Sequence, residues 1–191
     1  MKKYLNKNTV FSALLAVVCL LIIYRITPVS VDPVIELTIS KNRTGINSIN
    51  QRRDITQTQK VMVDVLNIAE NNRFKHPVLG ELGYGNDFFV DIDLPFTVKK
   101  AGTYHFLVGS DDGFRLRINN RTICQFPGSR PLAEQTCAID LAEGDHTFKL
   151  AYYQGYGNAG LRVEYRLAGN STRYWVGKDS SLLSFHQERK P

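Results

Sequence analysis

Short runs in which apolar and polar residues alternate restrict the fold of this chain more than any other feature. The first clear run follows Asp87 and places Phe88, Val90, Ile92 and Leu94 at every second position. Because successive side chains of a strand point to opposite faces, such a run buries one face and exposes the other. The same alternation recurs at residues 104–108, 114–118, 148–152 and 161–167.

Turn-forming residues separate these runs. They are Ala101-Gly102, Asp112-Gly113, Asn119-Asn120, Glu143-Gly144 and the segment 155–160. Short alternating strands between such turns are typical of antiparallel sandwiches and barrels. No helical pattern recurs between the runs, which argues against a parallel α/β sheet. The sequence therefore predicts an all-β fold, an antiparallel, jelly-roll-like β-sandwich of two sheets.

The N-terminus has the features of an export signal. Residues 10–23 carry no charge and are mostly Leu, Val, Ala and Ile, with lysines at positions 2, 3 and 7 before them and Arg25 after them. Positive residues at this flank are typical of a signal whose N-terminus stays in the cytoplasm. Extended to Ile26, the run is near the lower limit of about 17 residues for crossing a bilayer. It is longer than most cleavable cores and no Ala-x-Ala site follows, so an uncleaved signal anchor is favoured over a cleaved signal peptide or a buried core helix.

This interpretation divides the chain into five parts. They are a cytoplasmic N-terminus (1–9), a single-pass transmembrane helix in the inner (cytoplasmic) membrane (10–26), a polar tether (27–59), one β-sandwich domain (60–168) and a C-terminal tail (169–191). The domain is expected to face the periplasm or the exterior. Within the tether, residues 31–39 fit a short strand, and residues 60–70 fit either a strand or a short helix. A content of 43% hydrophobic residues is sufficient for one core.

Charge and motifs disfavour two classes of function. The net charge is +6, but the basic residues are scattered and no basic run coincides with aromatic positions, which argues against a nucleic-acid partner. No serine or cysteine lies in a recognisable nucleophile motif, so the sequence predicts no enzymatic activity.

The three cysteines fall into two groups. Cys19 lies within the apolar run, where it is interpreted as a small hydrophobic residue. Cys124 and Cys137 lie in the exported part, where an oxidising compartment permits a disulfide. Their spacing fits no zinc motif. Two buried free thiols are the alternative.

Two segments carry most of the chemistry, and the chain resembles a known family at both. One is the turn Ser110-Asp111-Asp112-Gly113, and the other is the glycine-rich loop Tyr152–Leu161. Together with Ala101–Phe106 and Gly144-Asp145-His146, they follow the motif order of the anthrax protective-antigen type of β-sandwich module, the PA-fourteen domain. The resemblance extends from about Lys60 to Leu167. This family occurs in adhesins, glycosidases, toxins and flocculins.

The resemblance implies a calcium-dependent sugar site. In sugar-binding members, two adjacent aspartates joined by a cis peptide bind one Ca²⁺, and vicinal sugar hydroxyls complete its shell. Carried over by position, the metal ligands are Asp111, Asp112, the side chain of Gln154, and the carbonyls of Gly155 and Gly157. Such oxygen ligands suit calcium, with the modest affinity typical of extracellular modules.

Residues beside this set are candidates for contact with a glycan. Tyr156 is a candidate for stacking on a sugar ring, and Asn158 for hydrogen bonding to one. The alternative for Asp112-Gly113 is a simple hairpin turn between two strands. Two functions follow as hypotheses: a membrane-anchored, calcium-dependent lectin, or a structural subunit that contacts envelope proteins through its sandwich.

Overall fold

The computed structural model describes residues 6–26 and 31–186, which fall into two units, 1–30 and 31–191. The first contains one helix, α1 (Lys7–Ile26). Its segment Lys7–Arg25 has a mean hydropathy of 2.0. At 1.5 Å per residue it is about 28 Å long, close to the thickness of a bilayer core. The chain therefore carries one N-terminal helix long and apolar enough to cross a membrane, a property that signal sequences share.

The second unit consists of β-strands arranged in two main sheets. The strands are β1 (Ile35–Asn42), β2 (Ile55–Val63), β3 (Asn67–Ile68), β4 (Lys75–His76), β5 (Gly80–Glu81), β6 (Phe88–Val98), β7 (Gly102–Asp111), β8 (Phe114–Ile118), β9 (Arg121–Phe126), β10 (Ala133–Leu141), β11 (Gly144–Gln154), β12 (Gly160–Leu167), β13 (Tyr174–Trp175) and β14 (Leu183–Phe185). Every pairing between them is antiparallel. The predicted all-β sandwich preceded by one apolar helix is confirmed.

The larger sheet has seven strands in the order β2-β1-β6-β11-β8-β9, with β14 also paired to β6. The smaller sheet has the order β10-β7-β12-β13, with β3 beside β12, and β4 pairs separately with β5. Strand β6 joins the parts of the larger sheet. Its first half pairs with β1 and its last three residues pair with β14, while β11 lies along its other edge.

The core lies between the two sheets and follows from the period-two alternation. On β6 the buried residues Val90, Ile92, Leu94, Phe96 and Val98 alternate with residues that face outward. The inward faces of β7, β11 and β12 contribute the fully buried aromatic residues Tyr104, Phe106, Phe148, Tyr152 and Tyr165. Burial of this apolar area is the main stabilising contribution to the fold.

The structure corrects the proposed tether (27–59), because its described part, residues 31–59, belongs to the sandwich unit, while residues 27–30 lie outside the described residues. Within this range β1 buries Ile35, Leu37 and Ile39 completely and pairs with β6 in the larger sheet. Strand β2 is an edge strand whose side chains are mostly exposed, so its sequence is polar and lacks the alternation of a half-buried strand. The sandwich therefore begins near Val31 instead of residue 60.

The proposed C-terminal tail, residues 169–191, is corrected in the same way. Its described part contains β13, which pairs with β12, and β14, which pairs with β6. Val176, Leu183 and Phe185 are buried in the core. Only residues 187–191 of this range lie outside the described residues.

The expected disulfide between Cys124 and Cys137 is confirmed, and it joins β9 of the larger sheet to β10 of the smaller one. The two cysteines are 13 residues apart, and closing a loop of about this size contributes about 3 kcal/mol in the chain-entropy model. Cys137 is buried and Cys124 is partly buried against the same core, so the bridge also contributes to packing between the sheets.

We expect replacement of both Cys124 and Cys137 by alanine to lower the melting temperature by about 6–12 °C, because a loss of about 3 kcal/mol produces a shift of this size in a domain of 150–250 residues. Thermal melts followed by circular dichroism measure the shift. Cys19→Ala is the matched control and should melt like the wild type. Two alkylatable thiols at Cys124 and Cys137 in unreduced, exported protein would contradict the assignment.

Candidate functional site

The candidate site lies where three connections between strands meet at one end of the sandwich. They are the crossing Ser110–Gly113, the connection 127–132 between β9 and β10, and the loop 155–159 between β11 and β12. The hairpin alternative for Asp112-Gly113 is wrong, because β7 belongs to the smaller sheet and β8 to the larger one. The acidic pair therefore lies on a link between the sheets, next to their hydrophobic core.

The two aspartates are buried and accept hydrogen bonds from the backbone of both neighbouring connections. Asp111 is 7% exposed, and its Oδ2 accepts the amide of Leu132 at 3.1 Å. Asp112 is 5% exposed, and its Oδ2 accepts the amide of Gly155 at 2.8 Å. The other oxygen of Asp112 accepts the amide of Arg130 at 3.3 Å. The acidic pair thus connects the three segments of the site to one another.

The expected cis peptide between Asp111 and Asp112 is wrong, because no peptide bond among the described residues is cis. A cis bond before a non-proline residue costs about 2.5–4 kcal/mol. Here the trans chain already brings both carboxylates to amide donors on the 130–132 segment, at Arg130 and Leu132. The local hydrogen bonds therefore do not require the cis form.

The electrostatics of the acidic pair are unfavourable for two negative charges. Burial raises the pKa of Asp111, and the neighbouring charge of Asp112 raises it further, while the amide of Leu132 opposes both effects. Neither aspartate has an ion-pair partner within 4.0 Å in the described part of the chain. When folding raises the pKa of a carboxyl group, the folded domain loses stability as the pH rises through that pKa. Ionised Asp111 therefore destabilises the domain at neutral pH, and a bound cation would remove this cost.

Gln154 lies beside the acidic pair and is fully buried. Both ends of its side-chain amide already take part in hydrogen bonds. The Tyr152 hydroxyl, which has one proton to donate, lies 2.7 Å from Gln154 Oε1 and also contacts the carbonyl of Asp111. Burial raises the pKa of Tyr152 well above its ordinary value, so this hydroxyl stays protonated. The Gln154 Nε2 donates to the carbonyl of Asn158 at 2.6 Å, which fixes the shape of the 155–159 loop.

The other predicted residues of this loop separate into a buried and an exposed part. Gly155 is buried and its carbonyl accepts the amide of Asp87 at 2.9 Å. A Cβ at Gly155 would lie 2.6 Å from the carbonyl oxygen of Ile46, so the close approach requires glycine. Tyr156, Gly157 and Asn158 are exposed, and Tyr156 presents 89% of its surface to solvent.

Arg130 is a residue of the site that the sequence analysis missed. Its Nη2 donates to Ser110 Oγ at 2.9 Å, and its guanidinium lies 4.3 Å from the ring centroid of Phe126. Burial lowers its pKa. The only sequence signal was the position of Arg130 in the turn-rich segment between the two cysteines, which gave no indication that this segment reaches the aspartates.

The donor set fits a hard divalent cation in its charge and its chemistry. Among the described residues no group of three or more His, Cys, Asp and Glu side chains is assembled, so the acidic pair supplies all of the negative charge. Asp111 Oδ1 accepts no hydrogen bond from the described residues, whereas Gln154 Oε1 and the Gly155 carbonyl have the partners given above. Calcium accepts carboxylate and carbonyl oxygens in flexible geometry, which suits such a mixed set.

A hollow of about 480 Å³ adjoins the exposed part of the loop. Gly157, Asn158 and Ala159 form one wall. The opposite wall comes from residues 71–74 and from residues 81–85, which are the last residue of β5 and the chain after it. Asn72 connects the two walls, because its carbonyl accepts the amide of Ala159 at 3.0 Å.

Comparison with known proteins establishes the fold. No protein-family model matches the sequence, and no curated protein matches it. The structure is similar to the PA14 domain of the MpAFP antifreeze protein (TM-score 0.61, 16% identity, covering 86% of this chain and 96% of that one). It is also similar to a PA14 sugar-binding domain from an RTX adhesin (TM-score 0.60, 16% identity, 82% and 100%).

A third similar structure comes from a yeast. It is the epithelial adhesin 9 A domain from Candida glabrata in complex with Galβ1-3GlcNAc, with a TM-score of 0.54, 10% identity, and coverage of 83% of this chain and 92% of that one. The protein therefore has a PA14-like fold, as the motif order in the sequence indicated.

Proposed function

We propose that this protein is a membrane-anchored carbohydrate-binding module whose sugar site is completed by Ca²⁺ at Asp111 and Asp112. The observation that carries the proposal is the buried acidic pair, which has no ion-pair partner within 4.0 Å among the described residues and lies next to the exposed loop that carries Tyr156. The RTX adhesin domain, described as sugar-binding, and the yeast adhesin domain, solved with a disaccharide, share this fold and support the ligand class. The proposed module is not an enzyme.

The residues of the site have separate roles in this proposal. Asp111 and Asp112 supply the negative charge that dehydrates the ion, and the carbonyl of Gly157 is the candidate ligand from the exposed loop. Gln154 and the Gly155 carbonyl bind the ion only if they exchange their present partners. Their first role is to hold the loop in place through Asn158 and Asp87.

The glycan is proposed to bind from the solvent side of the loop. Vicinal hydroxyls of the sugar would fill the open positions on the ion. Tyr156, which is almost fully exposed, offers an apolar ring face for stacking, and Asn158 offers an amide for hydrogen bonding. The hollow beside Asn158 gives room for a second sugar unit.

We propose that α1 anchors the module as a single-pass helix in the cytoplasmic membrane, with the domain exported. The length and composition of the helix support a membrane span, and the lysines before it support this orientation. The disulfide supports export, because disulfides persist in oxidising compartments.

We expect Ca²⁺ to raise the melting temperature of the full chain in nonionic detergent at neutral pH, and Asp111→Asn to abolish this response. The side-chain oxygen of asparagine can still accept the hydrogen bond from the Leu132 amide, and its NH₂ group can take the position of Asp111 Oδ1, so only the charge is lost. In chelator the variant should melt at or above the wild-type temperature, because it removes a destabilising charge. Melts from zero to about 10 mM Ca²⁺ cover the affinity of about 10⁻⁴–10⁻³ M typical of extracellular sites.

Asp140→Asn is the matched control for this experiment. Asp140 lies on β10, is exposed, and accepts one hydrogen bond from the Thr103 hydroxyl that asparagine can also accept. It should keep the calcium response of the wild type. A glycan array with and without chelator then identifies the sugar. The absence of any calcium response in the wild type would refute the calcium site and favour the envelope-interaction hypothesis.

A further inference from the structure

The outer face of the seven-stranded sheet carries a groove that the candidate site does not use. It has a volume of about 610 Å³ and is lined by residues of β2, β1, β6, β11 and β8, five neighbouring strands. Strands in a sheet lie about 4.8 Å apart, so the groove crosses about 19 Å of the surface. This length suits an extended polymer better than a single small ion.

Two rows of outward-facing residues form the floor of the groove. The strand register places Asp93, Lys149 and Arg117 side by side in one row, and Asp91, Ala151 and Arg115 in the other. Because Ala151 has only a methyl group, it leaves a gap between Asp91 and Arg115. Charged side chains therefore flank a small apolar position on the floor of the groove.

Ion pairs within the groove neutralise its acidic residues. Lys149 Nζ lies 3.0 Å from Asp93 Oδ2. Arg53 binds Asp91 through both guanidinium Nη atoms, one of them at 3.0 Å, and lies 4.3 Å from the ring centroid of Phe89. Glu36, the other acidic residue that lines the groove, is paired with Lys60 at 2.6 Å, so the β1 and β6 side of the groove has no net charge.

Arg115 and Arg117, on the β8 side, remain uncompensated. Their side chains bond only to neutral acceptors of the described residues: Arg115 to Gln125 at 2.9 Å and to Asn50, and Arg117 to Thr122 at 3.3 Å. Arg117 also lies directly opposite Lys149. Like charges directly opposite each other on a sheet are destabilising. The Asp93 partner of Lys149 lies on its β6 side, away from Arg117, so an anion bound beside Arg117 would relieve this repulsion.

From this geometry we propose that the groove binds an acidic polysaccharide through its carboxylate or sulfate groups, with Arg115 and Arg117 as the anion-binding residues. Alternate residues of a strand lie about 6.6 Å apart on the same face, so the two guanidinium groups contact successive anionic groups of an extended chain. Arginine suits this role because its planar group can bind two oxygens at once. None of the residues that line the groove belongs to the candidate sugar site at Asp111 and Asp112, so the two sites can be tested separately.

The test measures binding of the full chain, in nonionic detergent, to three polymers. Polygalacturonate presents carboxylates, dextran sulfate presents sulfates, and neutral dextran gives the baseline. We expect binding of at least one polyanion, weakened by added salt, and weakened at least about tenfold by Arg115→Gln/Arg117→Gln. The polyanion that binds more tightly identifies the anionic group.

Arg162→Gln/Lys178→Gln is the matched control, because it removes the same charge from exposed positions on β12 and just after β13, in the smaller sheet. It should bind like the wild type. Equal weakening by both double variants, or no polyanion binding above the dextran baseline, overturns the proposal. If the groove variant fails to fold, the single change Arg117→Gln at an exposed position replaces it, with weaker binding expected. Asp111→Asn should leave polyanion binding intact, which separates this proposal from the proposed function.

Discussion

A fragment of residues 60–191 is expected not to fold, whereas a fragment of residues 31–191 should give a cooperative thermal transition. The shorter fragment lacks β1 and most of β2. Strand β1 lies between β2 and β6, and three of its side chains, Ile35, Leu37 and Ile39, are completely buried in the core.

The size of this effect follows from burial alone. Each completely buried aliphatic side chain contributes about 1.5–3 kcal/mol, so three of them contribute about 5–9 kcal/mol. The total stability of a domain is about 5–15 kcal/mol. Loss of β1 also leaves the first half of β6 as an open edge over an exposed core, which promotes aggregation.

Circular dichroism, near-ultraviolet spectra and size-exclusion chromatography of both fragments measure the difference. The longer fragment is the matched control, because both fragments lack the apolar helix and end at the same residue. A cooperative melt of the 60–191 fragment would show that β1 is dispensable and that the domain boundary predicted from the sequence was sufficient.

Strands β6, β7, β8, β11 and β12 could be predicted from the sequence because apolar residues recur at every second position in each of them, whereas β9, β10 and β13 were not predicted. The buried positions of β6 follow the alternation at Val90, Ile92 and Leu94, whereas Phe89 on the other face is also buried, packed with Ile46 and Ile49. Strand β2 has no such pattern, because it is an edge strand with most of its side chains in solvent. Strand β14 is only three residues long, too short for a period to be recognised.

For the candidate site, the sequence predicted which residues belong together but not how their oxygen atoms are oriented. The motif order indicated that Asp111, Asp112 and Gln154 belong to one site, and the structure brings them together. The orientation of their oxygens depends on partners distant in sequence. The amide of Leu132, 21 residues away, donates to Asp111, and the amide of Arg130, 18 residues away, donates to Asp112. No spacing rule places those partners, so the sequence did not predict Arg130 or the trans bond between the aspartates.

Gly113→Ala is expected to destabilise the domain by about 3 kcal/mol, the upper end of the usual cost of overpacking, and to lower its melting temperature by about 6–12 °C. A Cβ at position 113 would lie 2.4 Å from Tyr153 Cε1 and 2.8 and 2.9 Å from the carbonyl oxygens of Phe126 and Gly128. Two of these contacts are with backbone atoms, which no change of side-chain rotamer relieves. The crossing between the sheets would have to move, and Asp112 would move with it.

Gly128→Ala is the matched control, because a Cβ at that position meets nothing within 4 Å and its φ is not in the left-handed region. This substitution should be neutral or should stabilise the domain by about 0.4–1 kcal/mol, because alanine lowers the conformational entropy of the unfolded chain. Calcium titration of both variants extends the test to the site. Gly113→Ala should lose the calcium-dependent rise in melting temperature even where it remains folded, because the shifted crossing displaces Asp112 from the amides of Gly155 and Arg130. Equal melting temperatures and equal calcium responses for the two variants would show that the crossing tolerates a side chain and does not position the acidic pair.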